Sequence, residues 1–189
     1  MGREFELKFK ATAEVLAEIR ALWQDWEEIF METTYFDTAD SRLSAKNCTL
    51  RSRLENGICV CTMKTPAAGF SRGEWDVKAA WSPETVVNLF AAAQQEAISF
   101  EKLNPVCGAR FTRLAKTVEL PDCIVEIALD NGVLMGGGQE IPLCELEVEC
   151  KDGSEAAVVA WAGRLAQRFG LEAETKSKFR RALGLARGE

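Results

Sequence analysis

Three glutamates at alternate positions, Glu145, Glu147 and Glu149 in "ELEVE", are residues of a type and spacing that can do chemistry. Same-face neighbours on a strand lie roughly 7 Å apart, so these carboxylates repel one another unless cations sit among them. The chain contains no histidine, which removes Ser-His-Asp triads, Cys-His dyads and histidine-carboxylate metal sites. Any metal must be held by oxygen, which favours Mg²⁺ or Mn²⁺. Arg51, Arg53, Lys64, Arg72, Arg113, Lys176 and Lys178 supply the opposite sign, and a guanidinium fork matches phosphate oxygens two at a time. Carboxylates for a metal beside several Arg and Lys for an anion describe a site for a metal-bound polyphosphate. A salt-bridged interior without a ligand uses the same residue types.

Those side chains need a scaffold, and the periodicity supplies one. In "GREFELKFK", Glu4, Glu6, Lys8 and Lys10 point one way along a strand while Phe5, Leu7 and Phe9 point the other. "CTLRSRLENGICVCTMKT" reads as a hairpin, because Asn56-Gly57 can supply the two positive φ angles of a type I′ turn. Pairing outward sets Arg53 opposite Val60, Arg51 opposite Thr62 and Thr49 opposite Lys64, so Arg51, Arg53 and Lys64 share a face. Further strands are expected at "RGEWDVKA", "TRLAKTVEL", "CIVEIALD", "LCELEVEC" and "ETKSKF". "GVLMGGGQEIP" reads as a hairpin turn, since no Gly-Lys-Ser/Thr follows its glycines. Helices are expected after Thr12, through Val15, Ile19, Leu22 and Trp26; from Ser82-Pro83 through Val86, Leu89, Phe90 and Ala93; and from Ser154 through Val158, Trp161, Leu165 and Phe169 to Gly170.

With 189 residues, 47% of them hydrophobic, the chain is expected to form a single domain over residues 1–189. Apolar runs fall short of the roughly 18 residues of a membrane span, and the charged N-terminus differs from a signal peptide. A cytoplasmic protein without membrane contact is expected. Seven cysteines with no C-x-x-C pair suggest neither a disulfide framework nor a zinc site. A net charge of −6 argues against a broad nucleic-acid surface. Oligomeric state is not legible, which leaves a homodimer open.

Charged positions alternate with apolar ones in nearly every strand: Arg72, Glu74, Asp76 and Lys78; Glu126 and Asp130; Glu145, Glu147 and Glu149. In a single strand this pattern means only that one face meets water. Three amphipathic helices, however, must bury their stripes against the apolar face of the sheet. A sheet of about eight strands covered outside by helices and curled closed turns its charged face into the lining of a tube.

Together these residues resemble the CYTH superfamily, the triphosphate tunnel metalloenzymes. "EFELK" at Glu4 to Lys8 fits an E-x-E-x-K signature, and "YFDT", "LRSR", "MKT", "RGEWD", "EIALDNG", "ELEVECKDG" and "KSK" follow in the family's order. Serine between the two arginines of "LRSR", and Cys150 after the acidic strand, depart from the family's pattern on the face away from the lining. The resemblance implies an α+β fold, a closed eight-stranded antiparallel β-barrel with a charged interior flanked by helices, that binds a small-molecule triphosphate with Mg²⁺ or Mn²⁺. It implies Glu4, Glu6, Glu126, Asp130, Glu145 and Glu147 as metal ligands or their neighbours. Arg51, Arg53, Lys64, Arg72, Arg113, Lys176 and Lys178 would bind phosphate, with Lys8 beside them. Glu4, Glu6, Lys8 and Lys64 would take part in the reaction, and Tyr35 with Lys64 would form an acid-base pair as in thiamine-triphosphate-specific relatives. Hydrolysis of inorganic triphosphate is the implied activity, with nucleoside or thiamine triphosphate as further substrates. A class IV adenylyl cyclase and a non-catalytic polyphosphate or nucleotide binder are the alternatives. Bacterial inorganic triphosphatases often carry an additional helical domain, for which 189 residues leave no room.

Overall fold

The computed structural model describes the backbone of residues 2–66 and 71–189, and the side chains of residues 5–66 and 73–189. In chain order the elements are β1 (Gly2–Lys10), α1 (Ala13–Arg20), β2 (Glu27–Asp37), α2 (Arg42–Ala45), β3 (Thr49–Glu55), β4 (Ile58–Pro66), β5 (Ser71–Lys78), α3 (Pro83–Ala92), β6 (Asn104–Leu120), β7 (Cys123–Gly136), β8 (Gln139–Gly153), α4 (Glu155–Phe169), β9 (Glu172–Ala173) and α5 (Lys178–Arg187).

Hydrogen-bonded neighbours run β5-β4-β3-β2-β6-β7-β8-β1, and β1 pairs back onto β5. The strand β1 makes the seam with its two halves. Gly2 to Phe5 pair with Glu74 to Ser71 of β5, and Glu6 to Lys10 pair with Glu149 to Glu145 of β8. Eight strands therefore close into an antiparallel barrel, while the short β9 adds to β1 at Phe9 and Lys10. Closure removes the unpaired edge that an open sheet would present.

The register fixes what points inward. Asn56 and Gly57 take φ of 48° and 86°, the β3–β4 hairpin closes as its turn residues require, and Arg53↔Val60, Arg51↔Thr62 and Thr49↔Lys64 are partners. The outward positions lie under helices. Leu16 and Ile19 of α1 and Val158 and Ala162 of α4 pack on Phe5, Phe9, Val125, Ile127, Leu146 and Val148. Val86, Leu89 and Phe90 of α3 pack on Leu50, Cys61 and Met63. Each such buried aliphatic or aromatic side chain is worth about 1.5–3 kcal/mol, so apolar residues face outward to the helices and the alternate, charged residues are left to line the tube.

Thr12, Ser82 and Ser154 cap α1, α3 and α4 as expected, and Gly170 ends α4 in the left-handed conformation. Three expectations need correction. The first helix stops at Arg20, and Trp26 instead folds back, its indole nitrogen donating to the carbonyls of Arg20 and Trp23 at 3.0 Å each. Strand β2 is not among the expected strands, because its two faces both mix polar with apolar residues: Phe30 and Glu32 on one, Met31 and Thr33 on the other.

"ETKSKF" is not a strand, since only Glu172 and Ala173 pair. Ser177 accepts a hydrogen bond from the Arg180 backbone and starts α5, whose Phe179, Ala182 and Leu183 recur at helical spacing and are buried. Ala182 packs among Met31, Ala109, Phe111, Leu134 and Leu143, and Phe179 and Leu183 pack on Tyr35. These strand residues belong to the same inward face as Arg113, Asp130 and Glu145. The glycine run "MGGGQ" makes this docking possible. A Cβ on Gly136 would stand 2.3 Å from the Ala182 carbonyl oxygen, and Gly137 and Gly138 turn the chain at φ of 59° and 76°. Ser177→Ala is expected to cost about 1 kcal/mol, the usual worth of such a cap; urea titration measures it, and an unchanged midpoint would show that α5 does not depend on its cap.

Candidate active site

A cavity of about 510 Å³ lies inside the barrel. Its wall includes Glu6 and Lys8 of β1, Tyr35 of β2, Arg51, Arg53 and Glu55 of β3, Lys64 of β4, and Glu74, Asp76 and Lys78 of β5. Arg113 of β6, Glu147, Glu149 and Lys151 of β8, and Lys178 and Phe179 of α5 complete most of it. Among the described residues, eight cationic and six acidic side chains line this space, an excess of positive charge inside a chain whose net charge is −6.

On one side stands the basic wall. Lys64 pairs with Glu74 at 3.1 Å and Arg51 with the same oxygen at 3.6 Å, while Arg53 reaches Glu55 at 3.3 Å. Among the described residues, the Nε atoms of Arg51 and Arg53 are buried with no acceptor. Buried donors are satisfied in the great majority of native sites, so these two nitrogens leave unused donor capacity on residues that line the cavity; the Nε of Arg181, away from the cavity, is unpartnered as well. Tyr35 is buried and its ring lies 5.1 Å from that of Phe179. Burial pushes the Tyr35 phenol up, against the opposing pull of Arg51, Lys178 and Lys64.

The other side holds the acids. Asp130, Glu145 and Glu147 each bring a carboxylate oxygen within 4.8 Å of the others, because Arg113↔Asp130 and Asp130↔Glu145 are register partners and Glu147 follows two residues on. All six of their oxygens meet a cation. Arg113 donates to both oxygens of Asp130 at 2.7 Å and to Oε2 of Glu147. The Lys178 ammonium meets Asp130 at 2.8 Å, Glu147 at 2.7 Å and Oε1 of Glu145. Arg181 takes Oε2 of Glu145 and reaches Glu174 at 3.5 Å.

Burial pushes the Glu145 carboxyl up to about 7, with Lys178 opposing and Glu147 reinforcing the rise. Glu147 goes the other way: burial would raise it, but Lys178 and Arg113 together hold it well below the ordinary carboxylate range. For Lys8, burial pulls downward and is outweighed by Glu6, Glu147 and Glu145, so its ammonium titrates above the usual value. Lys178 and Arg113 are held fully charged in the same way, against burial, by Asp130 and Glu147.

Glu6, Lys8, Tyr35, Arg51, Arg53, Lys64, Arg113, Glu147 and Lys178, all singled out in the sequence, line the cavity. Asp130 and Glu145 stand fully buried in the acidic trio. Two residues depart from expectation. Glu126 pairs with Glu149 across β7–β8, beyond the trio, and meets Lys151 at 3.9 Å; both partners line the cavity, and Glu126 itself does not. Lys176 is exposed on the bend before α5, because the segment that carries it is not a strand. The backbones of Glu4 and Arg72 pair across the β1–β5 seam, and their side chains lie outside the described residues.

Glu74 and Asp76, though seen as part of a charged face, were not assigned to the site; their alternation in "RGEWDVK" was the available signal. Arg181 is not among the expected site residues, because it belongs to α5, a helix hidden behind the strand-like alternation of "ETKSKF".

The family model of the CYTH domain matches residues 2–183, and the chain belongs to that family. An inorganic triphosphatase of Haemophilus influenzae is 29% identical over 167 residues, which cover 82% of this chain and 47% of that protein. The chain thus spans about half the length of that curated relative. Two solved structures share the fold. A Hippeastrum protein, described as an adenylyl cyclase candidate with a dominant triphosphatase activity, superposes with a TM-score of 0.64 at 17% identity, covering 100% of this chain and 96% of that one. A Pyrococcus horikoshii OT3 protein superposes at 0.66 and 19% identity, covering 96% and 99%. No helix among the described residues is long and apolar enough to cross a membrane.

Proposed function

We propose that this chain, folded as one domain, hydrolyses a triphosphate with the help of a divalent cation, and that inorganic triphosphate is its substrate. The observation that carries this is the pair of buried, acceptor-less guanidinium nitrogens of Arg51 and Arg53, on residues that line a cavity also lined by Glu147, one of three clustered carboxylates. A mere anion pocket has no use for those acids. The triphosphatase relative from Haemophilus influenzae supports the choice of substrate.

Arg51, Arg53, Lys64 and Lys8 would grip phosphate oxygens through charge-assisted bonds. Asp130, Glu145 and Glu147, with Glu6 on the neighbouring strand, would supply an all-oxygen donor set that suits Mg²⁺ or Mn²⁺. When bound there, such an ion would lower the pKa of a water and offset phosphate charge. Glu147 alone of the trio also lines the cavity, which supports a role for it between ion and substrate. The protonated Tyr35 hydroxyl is suited to donate a hydrogen bond rather than to act as a base.

Release of orthophosphate from inorganic triphosphate, ATP and thiamine triphosphate, each with Mg²⁺, Mn²⁺ or excess chelator, tests this. Metal-dependent turnover of inorganic triphosphate above the other two is expected. Cyclic AMP and pyrophosphate from ATP would assign the site to cyclisation instead, and no turnover of any of the three would overturn the proposal.

A further inference from the structure

The trio of Asp130, Glu145 and Glu147 already contains a cation of the protein's own. The Nζ of Lys178 meets one oxygen from each of the three carboxylates, donating hydrogen bonds to Glu145 and Glu147 and ion-pairing with Asp130 at 2.8 Å. With Arg113 and Arg181 on the remaining oxygens, three acids face three bases, and the cluster is formally neutral when all three carboxylates are ionised. Lys178 is buried there, and its side chain also forms part of the cavity wall.

We propose that Lys178 is a place-holding cation: its ammonium occupies the centre that a divalent ion would take, so metal entry and the docked position of Lys178 exclude each other. This rests on the metal-dependent reading above. Mg²⁺ takes oxygen ligands at about 2.0–2.1 Å, so an ion held by these carboxylates and the ammonium could not share one centre without strong like-charge repulsion. Adding two positive charges to a neutral cluster requires either that a cation leave or that an anion arrive.

Lys178 can do the first without disturbing its helix. Its four-carbon stem is flexible, whereas α5 is also held by the Ser177 cap, by Arg181 on Glu145, and by Phe179, Ala182 and Leu183. A swing from the trio into the cavity brings the ammonium to the space bounded by Arg51, Arg53 and Lys64, where triphosphate would provide its new partner. Lys178 would thereby couple the two ligands: metal frees it for phosphate, and phosphate removes it from the metal's place. Such coupling is reciprocal by thermodynamic necessity.

The test is a Mn²⁺ titration of substrate-free protein, followed by electron paramagnetic resonance, on wild type, Lys178→Gln, Lys178→Met and Lys8→Gln. Lys8 also lies near Glu147 and Glu145, so its variant removes an equal charge without vacating the centre. Both Lys178 variants are expected to bind Mn²⁺ more tightly than wild type by about tenfold or more, on the Coulombic repulsion removed, and Lys8→Gln by clearly less. In wild type, the ¹⁵Nζ ammonium signal of Lys178 should change its hydrogen-bonded shift on saturation with Mg²⁺, a measurement that needs no variant to fold. Equal tightening in Lys8→Gln, unchanged affinity in the Lys178 variants, or an unaltered ammonium signal at metal saturation would overturn the inference while leaving the metal site in place. Absence of Mn²⁺ binding in all four proteins would overturn the metal-dependent reading together with it.

Discussion

Glu147→Gln is expected to lower turnover of inorganic triphosphate by at least about a hundredfold, beyond the 10–100-fold typical when a partner of a metal ligand is lost. The substitution is nearly isosteric, so packing between β7 and β1 is retained and the change is one of charge. Glu147 is the trio member exposed to the cavity, and Lys178 and Arg113 keep it ionised. Removing that charge weakens the hold on a cation and leaves Lys178 and Arg113 with one acceptor fewer. The loss should appear in kcat and in the metal concentration needed for half-maximal rate. Full activity at limiting metal in this variant would remove Glu147 from the site.

Arg53→Ala is expected to act on the other wall and in another parameter. A hydrogen bond to a charged group is worth about 1.5–3 kcal/mol, so loss of the Arg53 fork should raise KM for inorganic triphosphate by about 10–100-fold while kcat falls much less. Arg53 is 9% exposed with an acceptor-less Nε, which makes it a donor waiting for an acceptor rather than a strut of the barrel. Arg53→Lys keeps the charge and loses the planar fork, so it should recover only part of the affinity. Steady-state kinetics separate these outcomes, and an unchanged KM in Arg53→Ala would place the phosphates elsewhere.

The barrel was legible where local chemistry forces a choice. Asn56-Gly57 admits one turn, the turn admits one register, and that register puts Arg51, Arg53 and Lys64 on one face. Strict alternation did the same for "EFELK" and "ELEVE", whose apolar partners Phe5, Leu7, Leu146 and Val148 pack together with α1 and α4.

What stayed hidden depended on tertiary contacts. Strand β2 shows no clean alternation, because Phe30 faces out and remains largely exposed while Met31 faces inward against α5. In "KSK", alternating charge resembles a strand, yet Ser177 is a helix cap, and Lys178 approaches the acids from α5 rather than from the wall of the sheet. Glu126 shares the inward parity of Asp130 but lies four residues away along β7, too far to join the trio. Parity predicts a face; it does not predict a depth along the barrel.

The most direct test of the account is an anomalous diffraction map from crystals soaked with Mn²⁺ and a non-hydrolysable triphosphate. The expected result is Mn²⁺ ligated by oxygens of the Asp130, Glu145 and Glu147 trio, with phosphate oxygens against Arg51, Arg53 and Lys64 inside the barrel. Triphosphate bound outside the barrel, or Mn²⁺ held away from all three carboxylates, would contradict it.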